Sequence, residues 1–191
     1  MAPRPDPERI HHAITVRRAT PGDAEAIAGI HARSWQSTYA GLVPAAVIDD
    51  VVQDRPARTE RWRTRLSDPA QQSRAYVAKL DDRICGFVVW GASRDPDATR
   101  DTAEVYAIYL DPDAIGRGVG RSLFASAVDD IVAHGASAAI LWVLDTNERA
   151  RRFYAAAGWH PDGATKTEER PGGTLHEVRY TRNLRAIRTA E

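Results

Sequence analysis

The chain has 191 residues, 43% of them hydrophobic and 27% charged, with 26 basic residues against 26 acidic ones. That length is enough to bury one sizeable core, and a formal net charge of zero excludes the strong positive field of a general nucleic-acid or anionic-lipid binder. A lone cysteine, Cys85, excludes a disulfide framework within the chain and reads as a small core residue inside the apolar run 84–90.

Residues 1–13 read as a flexible leader, proline-rich and charged, without the apolar segment of a secretory signal. No later run is long enough to cross a bilayer, so a cytoplasmic protein with no membrane or nucleic-acid partner is expected. The leader's His11-His12 pair lacks companion ligands, and no metal is expected. Residues 14–18 read as a first strand. Thr20-Pro-Gly-Asp23 then opens a helix, with Thr20 as cap, proline at the first helical position and aspartate three residues on. The pattern carries that helix through Ile27, Ile30 and His31 to about Ser34, and a looser segment, 35–44, follows. Helices are expected near 45–52 and 55–66, then strands at 74–80 and 83–91 joined at Asp81-Asp82 as a hairpin.

The segment 104–110, rich in β-branched and aromatic residues, predicts a strand buried on both faces. It ends at a turn holding Gly116, Gly118 and Gly120. Beyond the turn Val119, Leu123, Phe124, Ala127, Val128 and Ile131 mark one face of a helix. A strand at 138–144 follows. A second helix has Asp145, Thr146 and Asn147 as candidate caps, Ala150, Phe153, Tyr154 and Ala157 on one face, and Gly158 as its stop. Two last strands, about 159–165 and 174–182, are separated by the turn-forming 169–173. No internal repeat is present.

The glycine turn carries the chemical information. Glycines at a helix start let the backbone curl close to a ligand where unpaired N–H groups and the helix dipole favour an anion. The spacing Gly116-x-Gly118-x-Gly120 lacks the two-residue gap of a dinucleotide fingerprint, and Gly120-Arg121-Ser122 lacks the lysine and spacing of a Walker A loop. A turn with no ligand needs only one or two glycines. Three alternating ones beside Arg117 and Arg121 favour a pyrophosphate site.

The run Leu110-Asp-Pro-x-x-x-Gly116-Arg-Gly-Val-Gly120 resembles the coenzyme signature of the GNAT acetyltransferases, Gln/Arg-x-x-Gly-x-Gly/Ala, with Ile115 standing where the family has Gln or Arg. Asn147-x-x-Ala150-x-x-Phe153-Tyr154-x-x-x-Gly158-Trp159 resembles the family's second coenzyme segment. The resemblance implies an α/β fold over residues 14–183, a central mixed sheet with helices on both faces, followed by a tail at 184–191. It implies acetyl-CoA as co-substrate, with its pantetheine arm between two splayed strands. The residues it assigns to the coenzyme are Ile108, Tyr109, Leu110, Ile115, Gly116, Arg117, Gly118, Val119, Gly120, Arg121, Ser122, Asn147, Ala150 and Phe153. Dimerisation is common in the family, which allows a homodimer.

Acetyl transfer from a thioester to an amine needs a neutral amine, a stabilised oxyanion and a proton for the departing sulfur. The resemblance points to Tyr154 as the acid, to a backbone N–H near 108–110 for the oxyanion, and to Glu104 as the base. His176 and Glu177 stand as a second possibility for the base, and an ordered water chain as a third. The acceptor side implied by the family comprises His31, Trp35, Tyr39 and residues near 170–176, including His176. Aromatic walls suit a small amine better than a long peptide. The segment 34–44 resembles a subgroup of amino-acid N-acyltransferases. A small-molecule amine, an amino acid or a relative of one, is therefore the expected acceptor. A protein or peptide amine and a non-catalytic acyl-CoA sensor remain as alternatives.

Overall fold

The computed structural model describes residues 13–185, so residues 1–12 of the expected leader and 186–191 of the expected tail lie outside the described range. Seven strands are present: β1 (Ile14–Arg18), β2 (Arg74–Leu80), β3 (Arg83–Ala92), β4 (Thr102–Leu110), β5 (Ala138–Leu144), β6 (His160–Arg170) and β7 (Gly173–Asn183). They form one sheet in the order β1-β2-β3-β4-β5-β7-β6, antiparallel throughout except for the parallel pair β4–β5. Five α-helices accompany them: α1 (Ala24–Thr38), α2 (Ala45–Val52), α3 (Arg55–Ser67), α4 (Val119–Ala133) and α5 (Glu148–Ala156).

Local chemistry explains several boundaries. Ahead of α1 the Asp23 carboxylate accepts from the Thr20 N–H at 2.7 Å and from both terminal nitrogens of Arg17 at 2.7 Å, closing the expected capping box around a 3-10 turn. Asp81 and Asp82 both take positive φ, 49° and 65°, with Leu80 opposite Arg83. That is the two-residue hairpin whose twist matches its strands.

Two elements outrun their sequence signals. Helix α1 continues past Ser34 to Thr38, because burial of Trp35 against α2 and β7 outweighs the weak helix preference of Ser37 and Thr38. Strand β6 extends to Arg170 rather than Thr165. As an edge strand it pairs through its backbone while alternating charged side chains, so no apolar periodicity announces it.

Helices α1 and α3 cover one face of the sheet over Ile27, Ile30, Val77, Phe87 and Val89. On the other face α4 and the start of β6 enclose the larger core, which contains Val88, Val105, Leu123, Phe124, Ile131, Leu141 and Trp159. A third cluster, Trp35, Val47, Val51, Leu144 and Leu175, ties α1 and α2 to the ends of β5 and β7. Leu184, in the expected tail, is fully buried in the larger core, and its N–H donates to the Ser137 carbonyl at 2.9 Å. Among the described residues no helix is long and apolar enough to cross a membrane.

Candidate active site

Strands β4 and β5 begin as neighbours and then part. Their register runs only from Thr102 opposite Ala138 to Val105 opposite Leu141. Beyond it β4 continues to Leu110 against β3, and β5 to Leu144 against β7. The cause lies in β4: Val89 faces Ala107 while Trp90 faces Val105, leaving Tyr106 as an extra residue. Such a bulge bends a strand and sharpens its twist. Gly91 makes room for it, since a Cβ there would lie 2.6 Å from the Tyr106 hydroxyl, which donates to the Ala92 carbonyl at 2.6 Å. The parted edges present unpaired backbone groups, a surface that binds amides as an added strand would.

The glycine turn closes one end of this wedge. Asp111, at the exit of β4, is held by Arg33 at 2.6 Å and Arg83 at 2.8 Å, which fixes where the turn begins. Gly116 and Gly118 take φ of +80° and +88°, a region that L side chains adopt only under strain. Among the described residues no backbone acceptor takes the N–H groups of Gly116, Gly118, Val119, Gly120 or Arg121. These donors sit at the positive end of the α4 dipole, which fits a pyrophosphate. Asn147 caps α5, accepting from the Ala150 N–H at 3.1 Å.

A cleft of about 930 Å³ runs from the glycine turn through the wedge to the side of the sheet that carries α1. Ile108, Tyr109, Leu110, Ile115, Gly116, Gly118, Gly120, Arg121, Asn147, Ala150 and Phe153 line it. Three other expected coenzyme residues stand apart from its walls. Arg117 is exposed, Val119 is buried under the helix start, and the Ser122 hydroxyl bonds back to the Gly118 carbonyl at 3.4 Å.

Tyr154, on α5, also lines the cleft. It is 8% exposed, packed among Phe124, Phe153 and Tyr180, and among the described residues its hydroxyl has no hydrogen-bond partner. Burial, reinforced by the Tyr109 phenol, pushes its pKa far above the ordinary tyrosine range, so it holds its proton at any physiological pH. Tyr39 and Tyr109 are raised for the same first reason. The Trp35 indole N–H donates to the Tyr109 hydroxyl at 3.1 Å, and the Trp35 and Tyr39 rings lie 4.3 Å apart, forming the aromatic wall at this end.

Other expected residues are placed differently. His31 lies behind the wall, edge-on to Tyr109 at 4.7 Å, outside the cleft lining. Burial and the charges of Arg58 and Arg170 push its imidazole down to about 4, so the neutral ring accepts a contact from Arg58 at 3.3 Å. His176 is exposed, because strand alternation turns Leu175 and Glu177 toward the cleft and His176 to the opposite face. Glu104 does face the cleft. Its carboxylate is closed by Arg94, which donates through its backbone N–H at 2.9 Å, through Nε at 3.2 Å and through Nη2 at 2.5 Å. Glu177 is more open: among the described residues its ion pair is with Lys166 at 3.2 Å, and burial raises its pKa above the ordinary carboxylate value.

The sequence reading missed Arg94, Trp142, Lys166 and Glu168 on the acceptor side. One signal was available. Lys166, Glu168 and Arg170 recur at every second residue, the period of a strand face, although no apolar residue marks it.

A family model described as "Acetyltransferase (GNAT) family" matches residues 32–159. The uncharacterized N-acetyltransferase YuaI of Bacillus subtilis is 29% identical over 136 residues, spanning 70% of this chain and 73% of that protein. A mycothiol acetyltransferase of Frankia alni is 31% identical over 163 residues; the match takes 81% of this chain and 44% of the longer relative. The PaiA N-acetyltransferase of Thermoplasma acidophilum, solved with coenzyme A, superposes with a TM-score of 0.68 at 20% identity, covering 90% of this chain and 99% of that one, and so shares its fold. The chain belongs to the acetyltransferase (GNAT) family and is an acetyl-CoA-dependent N-acetyltransferase.

Proposed function

We propose that the protein acetylates the primary amine of a small molecule, an amino acid or a close relative, by direct attack within the wedge. Bound acetyl-CoA supplies the acetyl group as a thioester. The unpaired N–H groups of the glycine turn hold its pyrophosphate, and the parted edges of β4 and β5 hold its pantetheine amides. A β4 backbone N–H near Ile108 to Leu110 stabilises negative charge on the carbonyl oxygen. Tyr154 gives its proton to the departing sulfur. Glu177 takes a proton from the amine, a role favoured over Glu104 because the Glu104 carboxylate is already closed by Arg94.

The observation that carries this reading is the Tyr154 phenol, buried where the wedge and the α1 side of the cleft meet and free of any partner among the described residues. The aromatic wall of Trp35 and Tyr39 supports a small acceptor over an extended peptide. The test is release of free thiol from acetyl-CoA across amino acids, polyamines, arylamines, aminoglycosides and short peptides. Amino acids should lead. Activity confined to peptides would replace the small-molecule reading with a peptide one, and silence with retained acetyl-CoA binding would favour a sensor.

A further inference from the structure

The hairpin between β6 and β7 is pressed onto α2. A Cβ at Gly172 would fall 2.4 Å from the Ala46 Cβ, and one at Gly173 would fall 2.8 Å from Pro44. This contact sets Arg170, the last residue of β6, at the acceptor end of the cleft. One of its terminal nitrogens pairs with Glu168 at 2.8 Å, while its Nε–H is buried with no hydrogen-bond partner among the described residues. Behind the cleft wall, Arg58 of α3 is bonded to His31 at 3.3 Å and to the Val51 carbonyl; its Nε–H is likewise buried without a partner among the described residues.

Buried guanidinium donors are costly to leave unpaired, and the orphan on Arg170, in the cleft lining with a second one on Arg58 behind it, marks a missing acceptor. The charges point the same way. Lys166 is matched by Glu177 and Arg170 in part by Glu168, His31 is neutral above about pH 4, and Arg58 has no carboxylate within ion-pair distance among the described residues. Arg58 is held below the usual arginine range by burial and then by the charge of Arg61, with Asp50 offsetting part of it.

We infer that Arg170, backed by Arg58, forms an anion subsite that takes a carboxylate of the acceptor, so that the enzyme selects amines carrying an acid group. The inference rests on the transferase reading above and adds to it the residue that sets specificity. A planar guanidinium fork suits a carboxylate, and Arg170 lines the same cleft as Glu177, which pairs with Lys166 four residues back along β6, so a bound acid would be anchored on the same hairpin as the proposed base.

The experiment compares free L-amino acids with their carboxamides in the thiol-release assay, using wild type, Arg170→Gln and Arg170→Lys. The wild type should favour acids over carboxamides by about tenfold or more in kcat/KM, from the loss of a charged hydrogen bond. Arg170→Gln should bring that ratio near one and Arg170→Lys should keep part of it, with the KM for acetyl-CoA showing that both variants fold. A ratio near one in the wild type, or one that survives in Arg170→Gln, overturns the subsite and leaves the transferase reading standing. If no amine releases thiol, the transferase reading fails. The subsite is then decided by calorimetry of the CoA-loaded protein with propionate: binding by the wild type and not by Arg170→Gln upholds it, and equal or absent binding overturns it.

Discussion

Replacing Tyr154 with phenylalanine removes one oxygen and leaves the ring, which separates chemistry from packing. The ring contacts to Phe124 at 5.4 Å and Phe153 at 5.4 Å survive, and the lost hydroxyl has no partner among the described residues, so nothing is orphaned. The fold should therefore lose less than about 0.5 kcal/mol, a Tm change of about 2 °C or less for a chain of this size. Turnover should respond differently. A positioned general acid contributes roughly 10²–10⁴ in rate, about 3–5 kcal/mol of transition-state stabilisation at 1.36 kcal/mol per decade. The assay is steady-state thiol release, read with calorimetric acetyl-CoA binding and a thermal melt. We expect kcat to fall at least about a hundredfold with coenzyme affinity and Tm nearly unchanged. A kcat within a few-fold of wild type would refute the acid role, and a large drop in Tm would show that the hydroxyl has a structural partner instead.

Glu177 should give the pH profile of kcat/KM a limb that rises with pH through a value above the ordinary carboxylate range, since the ionised form is the base and burial raises its folded value; Glu177→Gln should erase that limb, and a limb that persists would exclude this residue. Gly118→Ala meets its nearest neighbour, Ile14, at an ordinary 3.4 Å, so its penalty is conformational at φ +88°; about 1–2 kcal/mol of strain should weaken acetyl-CoA binding roughly tenfold, and unchanged calorimetric affinity would contradict the backbone cradle. His31 should stay unprotonated down to about pH 4 in imidazole NMR; because its folded value is depressed, its contribution to stability is lost as pH falls from the unfolded value near 6.5 toward 4, and titration near 6.5 in the folded protein would show that the ring is not buried as described. Asp23, held down to about 2 first by Arg17, contributes above its unfolded value near 3.9 and loses that contribution as pH falls through 2; urea unfolding should show a loss of about 1–2 kcal/mol over that window, discounted for the half-exposed Arg17, and Asp23→Asn should flatten it.

How much of this was legible in the sequence depended on what kind of force shaped each part. The glycine turn and the Asn147 helix announced themselves, because φ-specific residues, caps and apolar faces are local signals. The capping box at Thr20 was legible for the same reason. The end of α1 was not, since only tertiary burial of Trp35 holds Gln36-Ser-Thr38 in a helix. The length of β6 escaped because an edge strand with alternating charge has no apolar pattern to read. At the site, the residue pattern put Glu104 on a strand and the family resemblance put that strand beside the coenzyme, but neither could show Arg94 folding back onto it from the loop after β3. His176 and Glu177 are neighbours in sequence and opposites in space, a choice that only strand register makes.

The strand order also sets a schedule for the molecule's birth. Of the seven described strands β7 is synthesised last, yet it slots between β5 and β6 in the interior of the sheet. A chain still emerging from a ribosome holds the glycine turn and Tyr154 well before Leu175, Glu177 and Tyr180 exist. Until they arrive, β5 lacks the neighbour that pairs with it from Ala138 to Leu144. Glu177, the proposed proton acceptor, is thus added in the same stroke that closes the sheet, so an unfinished copy would lack it.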